Sequence, residues 1–258
     1  LLYRVWWSAK RVPKAISNSR KLGKQERGYK ALAQGMVAVA AGDANEARRQ
    51  AKKADLLLGE LPLTMLLSAQ AAQLNGDEAA ATRYFDAMLK RTETAFLGLR
   101  GLLMQAERDG DTSAALAYAD RAKNLQPKTS WVLTKLFDLQ VRQSQWQAAL
   151  KTLDQAIKTG AIKNADGQGL RAVILLGCSL EAEIAGNKAD ALSFAEKAHK
   201  QQPDHLPSIV RRASLMNEAG KTRGLLKLVK EAWAHAPHPK LADFYVGGDA
   251  ASDALSRV

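Results

Sequence analysis

Four histidines and one cysteine are the residues of this chain best suited to hold a metal ion, because imidazole nitrogens and thiolates are common metal ligands in proteins. His199 follows Ala198, a position expected at a helix contact, so it is predicted to be half-buried. His205 begins a predicted helix. His235 and His238 flank a proline turn and form the best candidate pair, although histidines at such turns also cap helices or face solvent.

The cysteine, Cys178, is predicted to belong to the core. It lies on the apolar side of a predicted helix, where a free cysteine behaves as a small hydrophobe. Ser179 follows it, so the Cys-Pro dipeptide of haem-regulatory motifs is absent. No recognisable motif places a Ser, Cys or Thr beside a His and an acid, and no Cys/His pair has zinc-ligand spacing. The sequence therefore predicts no catalytic residue and no metal site.

The elements that position these residues are predicted from a repeated turn. The turns lie at Gly42, Gly76, Gly110, Ser144, Gly186 and Gly220. Their spacing is 34 residues, the length of a tetratricopeptide repeat, apart from eight extra residues before Gly186. Glycine allows the positive φ that ends one helix, and the Asp that follows three of these glycines can cap the next. Helical hairpins are therefore expected throughout.

Small residues recur at two positions of the predicted hairpins. They are Ala47, Ala81, Ala115, Ala149 and Ala191 at the first position, and Ala54, Ala122, Ala156, Ala198 and Ala232 at the second. Met88 replaces the second alanine of one hairpin, and Leu225 the first alanine of another. Small side chains let two helices approach closely. The sequence predicts an all-α fold, a right-handed α-solenoid of about six tetratricopeptide-type hairpins.

The repeats are predicted to span residues 25–246. The expected helix pairs are 28–41 with 43–58, 62–75 with 77–91, 96–109 with 111–125, 129–143 with 145–158, 170–185 with 188–201, and 205–219 with 221–235, followed by a helix at 239–246. Residues 159–169 interrupt the period as an insertion, which is either a loop or an extension of the next helix. Residues 247–258 are predicted to be a linker that stops mid-sequence.

Residues 1–24 are interpreted as a basic, membrane-proximal segment. Up to Arg27 the chain has eight basic residues and one acid, so this part carries 8 − 1 = +7 of the formal charge of +12. Trp6 and Trp7 precede most of these charges, a pattern that favours the cytoplasmic exit of a transmembrane helix missing from this chain. The alternative is an amphipathic helix that packs its tryptophans on the first repeat. The remaining 12 − 7 = +5 makes nucleic-acid binding the less favoured function.

A partner-binding groove is expected where the first helix of each hairpin presents repeat positions two, five, nine and twelve. The predicted groove residues are Tyr29, Met36, Gln70, Gln73, Arg100, Met104, Glu107, Trp131, Asp138, Glu183, Ser214 and Asn217. Arg and Trp dominate interface energetics and Met adapts to varied ligands, so Arg100, Met104 and Trp131 are its expected centre. The alternative for Arg100 and Trp131 is packing between adjacent repeats.

Two short stretches resemble the HemY proteins of proteobacteria: residues 203–207, PDHLP, and residues 231–239, EAWAHAPHP. The order of parts is similar as well, with a basic stretch, Arg27-Gly28 opening the first helix, and degenerate repeats with Gly-Asp turns. This resemblance implies a bacterial inner-membrane protein whose repeats face the cytoplasm and which is associated with late haem biosynthesis. It brings no catalytic residues, and no GxGxxG motif suggests the unrelated flavin-dependent oxidase that shares the family's name.

Two functions are therefore expected from different classes. The first is a non-enzymatic scaffold that docks a protein partner, such as a late haem-pathway enzyme, or presents haem or porphyrin to it through the groove. The second is a haem carrier or sensor with direct iron ligation, for which His235 and His238 are the candidate haem ligands.

Overall fold

The computed structural model describes residues 2–235 and 237–247, with the backbone alone for residues 2–19, 246 and 247. Every regular element in this part of the chain is an α-helix, which confirms the predicted all-α class. The helices are α1 (Leu2–Ala41), α2 (Ala44–Leu58), α3 (Pro62–Leu74), α4 (Glu78–Leu89), α5 (Thr92–Arg108), α6 (Thr112–Leu125), α7 (Ser130–Arg142), α8 (Trp146–Lys158), α9 (Asn164–Ile184), α10 (Lys188–Gln201), α11 (Leu206–Glu218), α12 (Thr222–His235) and α13 (Pro239–Gly247).

The chain divides between Leu125 and Gln126 into two compact units, so that unit 1 contains α1–α6 and unit 2 contains α7–α13. Within each unit, consecutive helices pack as antiparallel hairpins, and the first helices of successive hairpins touch: α1 with α3 and α3 with α5 in unit 1, and α9 with α11 in unit 2. This is the hairpin arrangement that the 34-residue period predicts.

The turn between the two helices of a hairpin has one recurring geometry. Gly42 has φ 75°, its N–H donates to the carbonyl of Val39, and the N–H of Asp43 donates to the carbonyl of Ala38 at 2.9 Å. The Asp43 carboxylate then accepts from the backbone N–H of Glu46 at 3.0 Å and caps α2. The second of these bonds, from a backbone N–H to the carbonyl five residues earlier, recurs in the other turns. It joins Asp77 to Ala72, Asp111 to Ala106, Gln145 to Gln140, Asn187 to Ala182 and Lys221 to Met216. A left-handed residue and two short-range bonds thus close each turn.

The alanines predicted at helix contacts are buried in both units. Ala47, Ala81, Ala115, Ala149 and Ala191 have no exposed surface, and the second set, Ala54, Ala122, Ala156, Ala198 and Ala232, is buried as well. Met88 and Leu225, which replace alanine in two hairpins, are also fully buried. The repeat register read from the sequence is therefore the register of the core.

The insertion takes the second of its two predicted forms, an extension of the next helix. Helix α9 begins at Asn164 rather than near residue 170, which leaves residues 159–163 as the connection. Gly160 ends α8 with φ 76°, and the N–H of Ile162 donates to the carbonyl of Ala156 at 3.2 Å. Gly167 makes the extension possible, because a Cβ there would lie 2.5 Å from the side chain of Ile157 on α8.

Helix α1 also starts earlier than predicted and runs without a break through the expected boundary at residues 24 and 25. The helical backbone carries the basic segment directly into the first repeat. The predicted packing of Trp6 and Trp7 on that repeat concerns side chains outside the described residues. The predicted linker, residues 247–258, also lies outside them except for Gly247, which is the last residue of α13. Among the described residues, no helix combines the length and the apolar character needed to cross a bilayer.

Candidate partner-binding surface

Unit 1 presents a ladder of apolar side chains along its first helices. Tyr29, Leu63 and Leu97 occupy the same repeat position on α1, α3 and α5, and their exposed fractions are 53%, 51% and 37%. Met36 and Met104 lie seven residues further along α1 and α5, two turns away on the same face, and are 46% and 47% exposed. Because α1 contacts α3 and α3 contacts α5, equivalent positions lie side by side. We call these five residues the apolar ladder.

The polar residues predicted for the groove of unit 1 lie on the same helices as the ladder. Arg100 is exposed on α5, three residues after Leu97, while Glu107, Gln70 and Gln73 are partly exposed. None of the seven groove residues predicted in this unit is buried. The surface thus combines flexible apolar side chains with a cation and amide groups that can form directed hydrogen bonds.

Leu63 and Leu97 were missed as site residues by sequence reasoning. Leucines in a helix-rich sequence are expected in the core, and only the structure shows these two to be solvent-exposed. The signal that could have found them is their spacing of 34 residues from Tyr29 and from each other.

None of the groove residues predicted in unit 2 is buried. Trp131 on α7 is partly exposed, Asp138 pairs with Arg142 at 3.1 Å, and Asn217 is exposed near the end of α11. Ser214 on the same helix is partly exposed. The apolar residues Val173 and Leu180 on α9 are exposed, as are the equivalent residues of the ladder in unit 1.

Glu183 belongs to a network that the sequence did not reveal. Its carboxylate lies 2.8 Å from the guanidinium of Arg211, which also donates to the hydroxyl of Ser179 at 3.0 Å and to its carbonyl at 3.1 Å. The Ser179 hydroxyl in turn donates to the carbonyl of Ala191 at 2.8 Å. Glu183 therefore helps to connect α9 to α11. Arg211 was not predicted, because it does not occupy a groove position of its repeat.

The histidines are dispersed through unit 2. His235 is exposed at the end of α12, and the Nδ1 of His238 accepts from the backbone N–H of Lys240 at 3.3 Å, as a cap of α13. His205 shares a hydrogen bond of 2.7 Å with Ser208 at the start of α11. Of the residues that the structure describes, no three His, Cys, Asp or Glu side chains are grouped so as to hold a metal ion.

His199 and Cys178 have shifted acid–base properties because of their surroundings. Burial, aided by the positive charge of Arg212, lowers the pKa of His199, whose buried Nδ1 has no hydrogen-bond partner. Burial, aided by the negative charge of Glu181, raises the pKa of the Cys178 thiol to about 11. Cys178 is thus a protonated core residue at neutral pH, as its position in the sequence predicted.

These features define a tetratricopeptide-type repeat protein: hairpins of 34 residues, left-handed turn residues and an open face lined by first helices. Residues 1–76 match the family model described as "HemY protein N-terminus", which confirms the resemblance to the HemY family.

The chain is similar to several solved structures at low sequence identity. The structure of Naa15/Naa10 bound to HypK-THB matches with a TM-score of 0.57 and 16% identity, over 94% of this chain and 36% of that chain. A tetratricopeptide repeat protein from Parabacteroides merdae ATCC 43184 matches with a TM-score of 0.48 and 15% identity, over 86% of each chain. The complex of the TPR2AB domain of yeast Sti1 with pHSP90 gives 0.42 and 14%, over 86% of this chain and 98% of that one. No curated protein matches the chain.

Proposed function

We propose that this protein is a non-enzymatic scaffold that docks a protein partner on the first-helix face of unit 1, in association with late haem (protohaem IX) biosynthesis. The observation that carries the proposal is the apolar ladder. Five large apolar side chains in repeat-equivalent rows remain exposed where three packed helices present one surface. Contiguous apolar patches of this kind mark interaction sites on soluble proteins.

The composition of the surface suits a protein partner. Methionine side chains adapt to irregular apolar surfaces, so Met36 and Met104 can fill gaps against a partner. Arg100 adds a cation beside this apolar area, and arginine is over-represented among residues that carry binding energy at interfaces. The amides of Gln70 and Gln73 supply both donors and acceptors. Together they favour a partner segment that has apolar side chains on one side and an acidic group beside them.

The link to haem biosynthesis rests on the match to the HemY N-terminus over residues 1–76. The proposed partner is accordingly a late haem-pathway enzyme. The basic charge up to Arg27 supports attachment at the bacterial inner membrane with the repeats on the cytoplasmic side, because Lys and Arg next to a membrane segment favour that side.

Docking on the ladder is tested by photocrosslinking in the full-length protein in its native membrane. A photoreactive amino acid at Tyr29, Leu63 or Leu97 is expected to capture the same haem-pathway enzyme, and Met104→Arg should reduce that capture by placing a charge in the apolar contact. The control position is Asp120, which is exposed on α6, the second helix of the α5–α6 hairpin in unit 1. The proposal is contradicted if the probe at Asp120 captures the enzyme equally well, or if no ladder position captures it.

The membrane topology is tested separately. With Cys178→Ser as background, Asp109→Cys places a thiol at the exposed C-terminal end of α5. A membrane-impermeant maleimide should label this thiol after lysis and leave it unlabelled in intact cells whose outer membrane has been permeabilised. Labelling before lysis would place the repeats in the periplasm.

Direct haem binding is the second candidate function, and the exposure of the His235 ring at the end of α12 is the observation that favours it. A haem titration of the purified chain separates the two candidates. A saturable one-to-one Soret band that is lost in His235→Ala or His238→Ala supports a carrier or sensor. A titration without a specific band supports the scaffold.

A further inference from the structure

Helices α12 and α13 of unit 2 form an open apolar pocket that the partner-binding surface does not include. It has a volume of about 350 Å³ and is lined by Val229, Lys230, Trp233, Ala242 and Tyr245. The first three residues lie within one turn of each other on α12, and the last two are one turn apart on α13. The pocket is therefore built where the faces of two helices meet.

Helix α13 holds one wall of this pocket in place. Leu241 has no exposed surface and belongs to the hydrophobic core of the unit, and Phe244 and Tyr245 pack against the same core. Trp233, in contrast, is 46% exposed, although it is a large aromatic residue with the core close by. Its indole is left as a wall of the pocket, and an indole ring is costly to leave in water unless something covers it.

The lining determines the kind of ligand. Aromatic rings from Trp233 and Tyr245 offer flat surfaces for stacking, and the Nζ of Lys230 lies 5.9 Å from the centroid of the Tyr245 ring. Of the described residues that line the pocket, Lys230 alone is charged, so the local potential favours an anion. A volume at the lower end of the range for ligand sites, which runs from about 300 Å³ to about 1,000 Å³, suits a small molecule of a few rings.

We propose that this pocket binds a small anion with a flat apolar body, such as an aromatic carboxylate, with the body between Trp233 and Tyr245 and the acidic group at Lys230. The site is distinct from the apolar ladder, which lies in unit 1, and does not depend on the docking proposed there. His235 and His238 are not among its lining residues, so haem ligation through them is a separate question.

The proposal is tested on the 258-residue chain with two fluorescent probes that share one ring system and differ in charge. Anilinonaphthalene sulfonate is an aromatic anion, and phenylnaphthylamine has the same rings without the sulfonate. Ala242→Leu is the decisive variant, because it adds apolar surface but fills the pocket. It should weaken both probes, and Trp233→Ala should weaken both by about tenfold through the lost stacking. Lys230→Gln should weaken the anion by about threefold and leave the neutral probe unchanged.

Ile184→Ala is the matched control, since Ile184 is 88% exposed on α9 and does not line the pocket. It should leave both affinities unchanged, and melting curves establish that each variant is folded. Unchanged or stronger binding in Ala242→Leu would show that the probes bind an open apolar surface instead, and would overturn the site. An equal effect of Lys230→Gln on the two probes would overturn the assignment of an anion.

Discussion

Ser144 holds a backbone conformation that glycine holds at the equivalent turns. Its φ is 55°, and its N–H and that of Gln145 make the same bonds that close the glycine turns. The geometry of the turn thus prevails over the preference of the residue, because two backbone bonds and the flanking helices fix it. The cost for an L-residue in the left-handed region is about 1–2 kcal/mol.

Replacing Ser144 by glycine is therefore expected to stabilise unit 2 by up to about 1 kcal/mol, since the strain is lost and part of the gain is offset by glycine's larger entropy when unfolded. The reverse change, Gly110→Ser, should destabilise unit 1 by a similar amount. Urea unfolding of both variants measures the two effects. A destabilised Ser144→Gly would show that the hydroxyl contributes more than the strain costs.

We expect His199 to make the stability of unit 2 depend on pH, because its surroundings lower its pKa. Its pKa is lowered by burial and by Arg212, against the smaller opposing effects of Glu231 and Asp204. The unfolded chain therefore takes up a proton at higher pH than the folded one, and the free energy of unfolding must fall as pH drops below the ordinary histidine pKa of about 6.5.

The urea midpoint should accordingly fall between about pH 7.5 and about pH 5.5, and fall less in His199→Gln, which keeps a similar volume but does not titrate. The two proteins are compared at both pH values in the same buffer. A parallel loss in wild type and variant would assign the pH dependence to other groups.

At the scale of the helix, packing of hairpins on small residues is the feature that sequence predicts best. Ala115 on α6 and Ala149 on α8 have no exposed surface, and a leucine at either position has to displace a neighbouring helix. We expect Ala115→Leu and Ala149→Leu each to cost about 1–3 kcal/mol of stability. Ala117→Leu is the control, because Ala117 is exposed on the same helix as Ala115. Unchanged melting temperatures for both buried variants would contradict the register.

The turns and contact alanines were predictable because backbone geometry restricts which residues can occupy them. The start of α9 was not. Residues 159–169 contain three glycines, which local propensity assigns to a loop, whereas the close approach of Gly167 to Ile157 supports a helix there. The network of Arg211 was equally hidden, since it joins residues 32 positions apart without any motif.

At the scale of the whole molecule, the residues expected to form one binding centre are divided between two units that meet at Leu125 and Gln126 in the sequence. Arg100 and Met104 belong to unit 1, and Trp131 belongs to unit 2. The repeat positions of these residues could be read from the sequence, but the division of the core into units depends on contacts between helices that no local pattern encodes. The single binding centre therefore stays a prediction, and the residues of each unit can be tested separately.

If Arg100 and Trp131 contact a partner, Arg100→Ala and Trp131→Ala should each weaken binding by roughly 1–4 kcal/mol and change stability much less. Melting temperature and affinity for the partner captured by crosslinking are measured on the same variants. Unchanged affinity with a large loss of stability would assign either residue to packing between repeats. Because they lie in different units, one residue can pass this test while the other fails.

The turn that closes each hairpin is made from bonds between residues close together in sequence, such as Asp77 to Ala72 and Asp111 to Ala106. A gene segment copied or lost between two such turns, from Gly76 to Gly110 for example, re-creates an intact joint at both ends. Unequal recombination can therefore add or remove one whole hairpin with little damage to its neighbours. Lineages that carry this chain are expected to differ by entire repeats more often than by fragments of one.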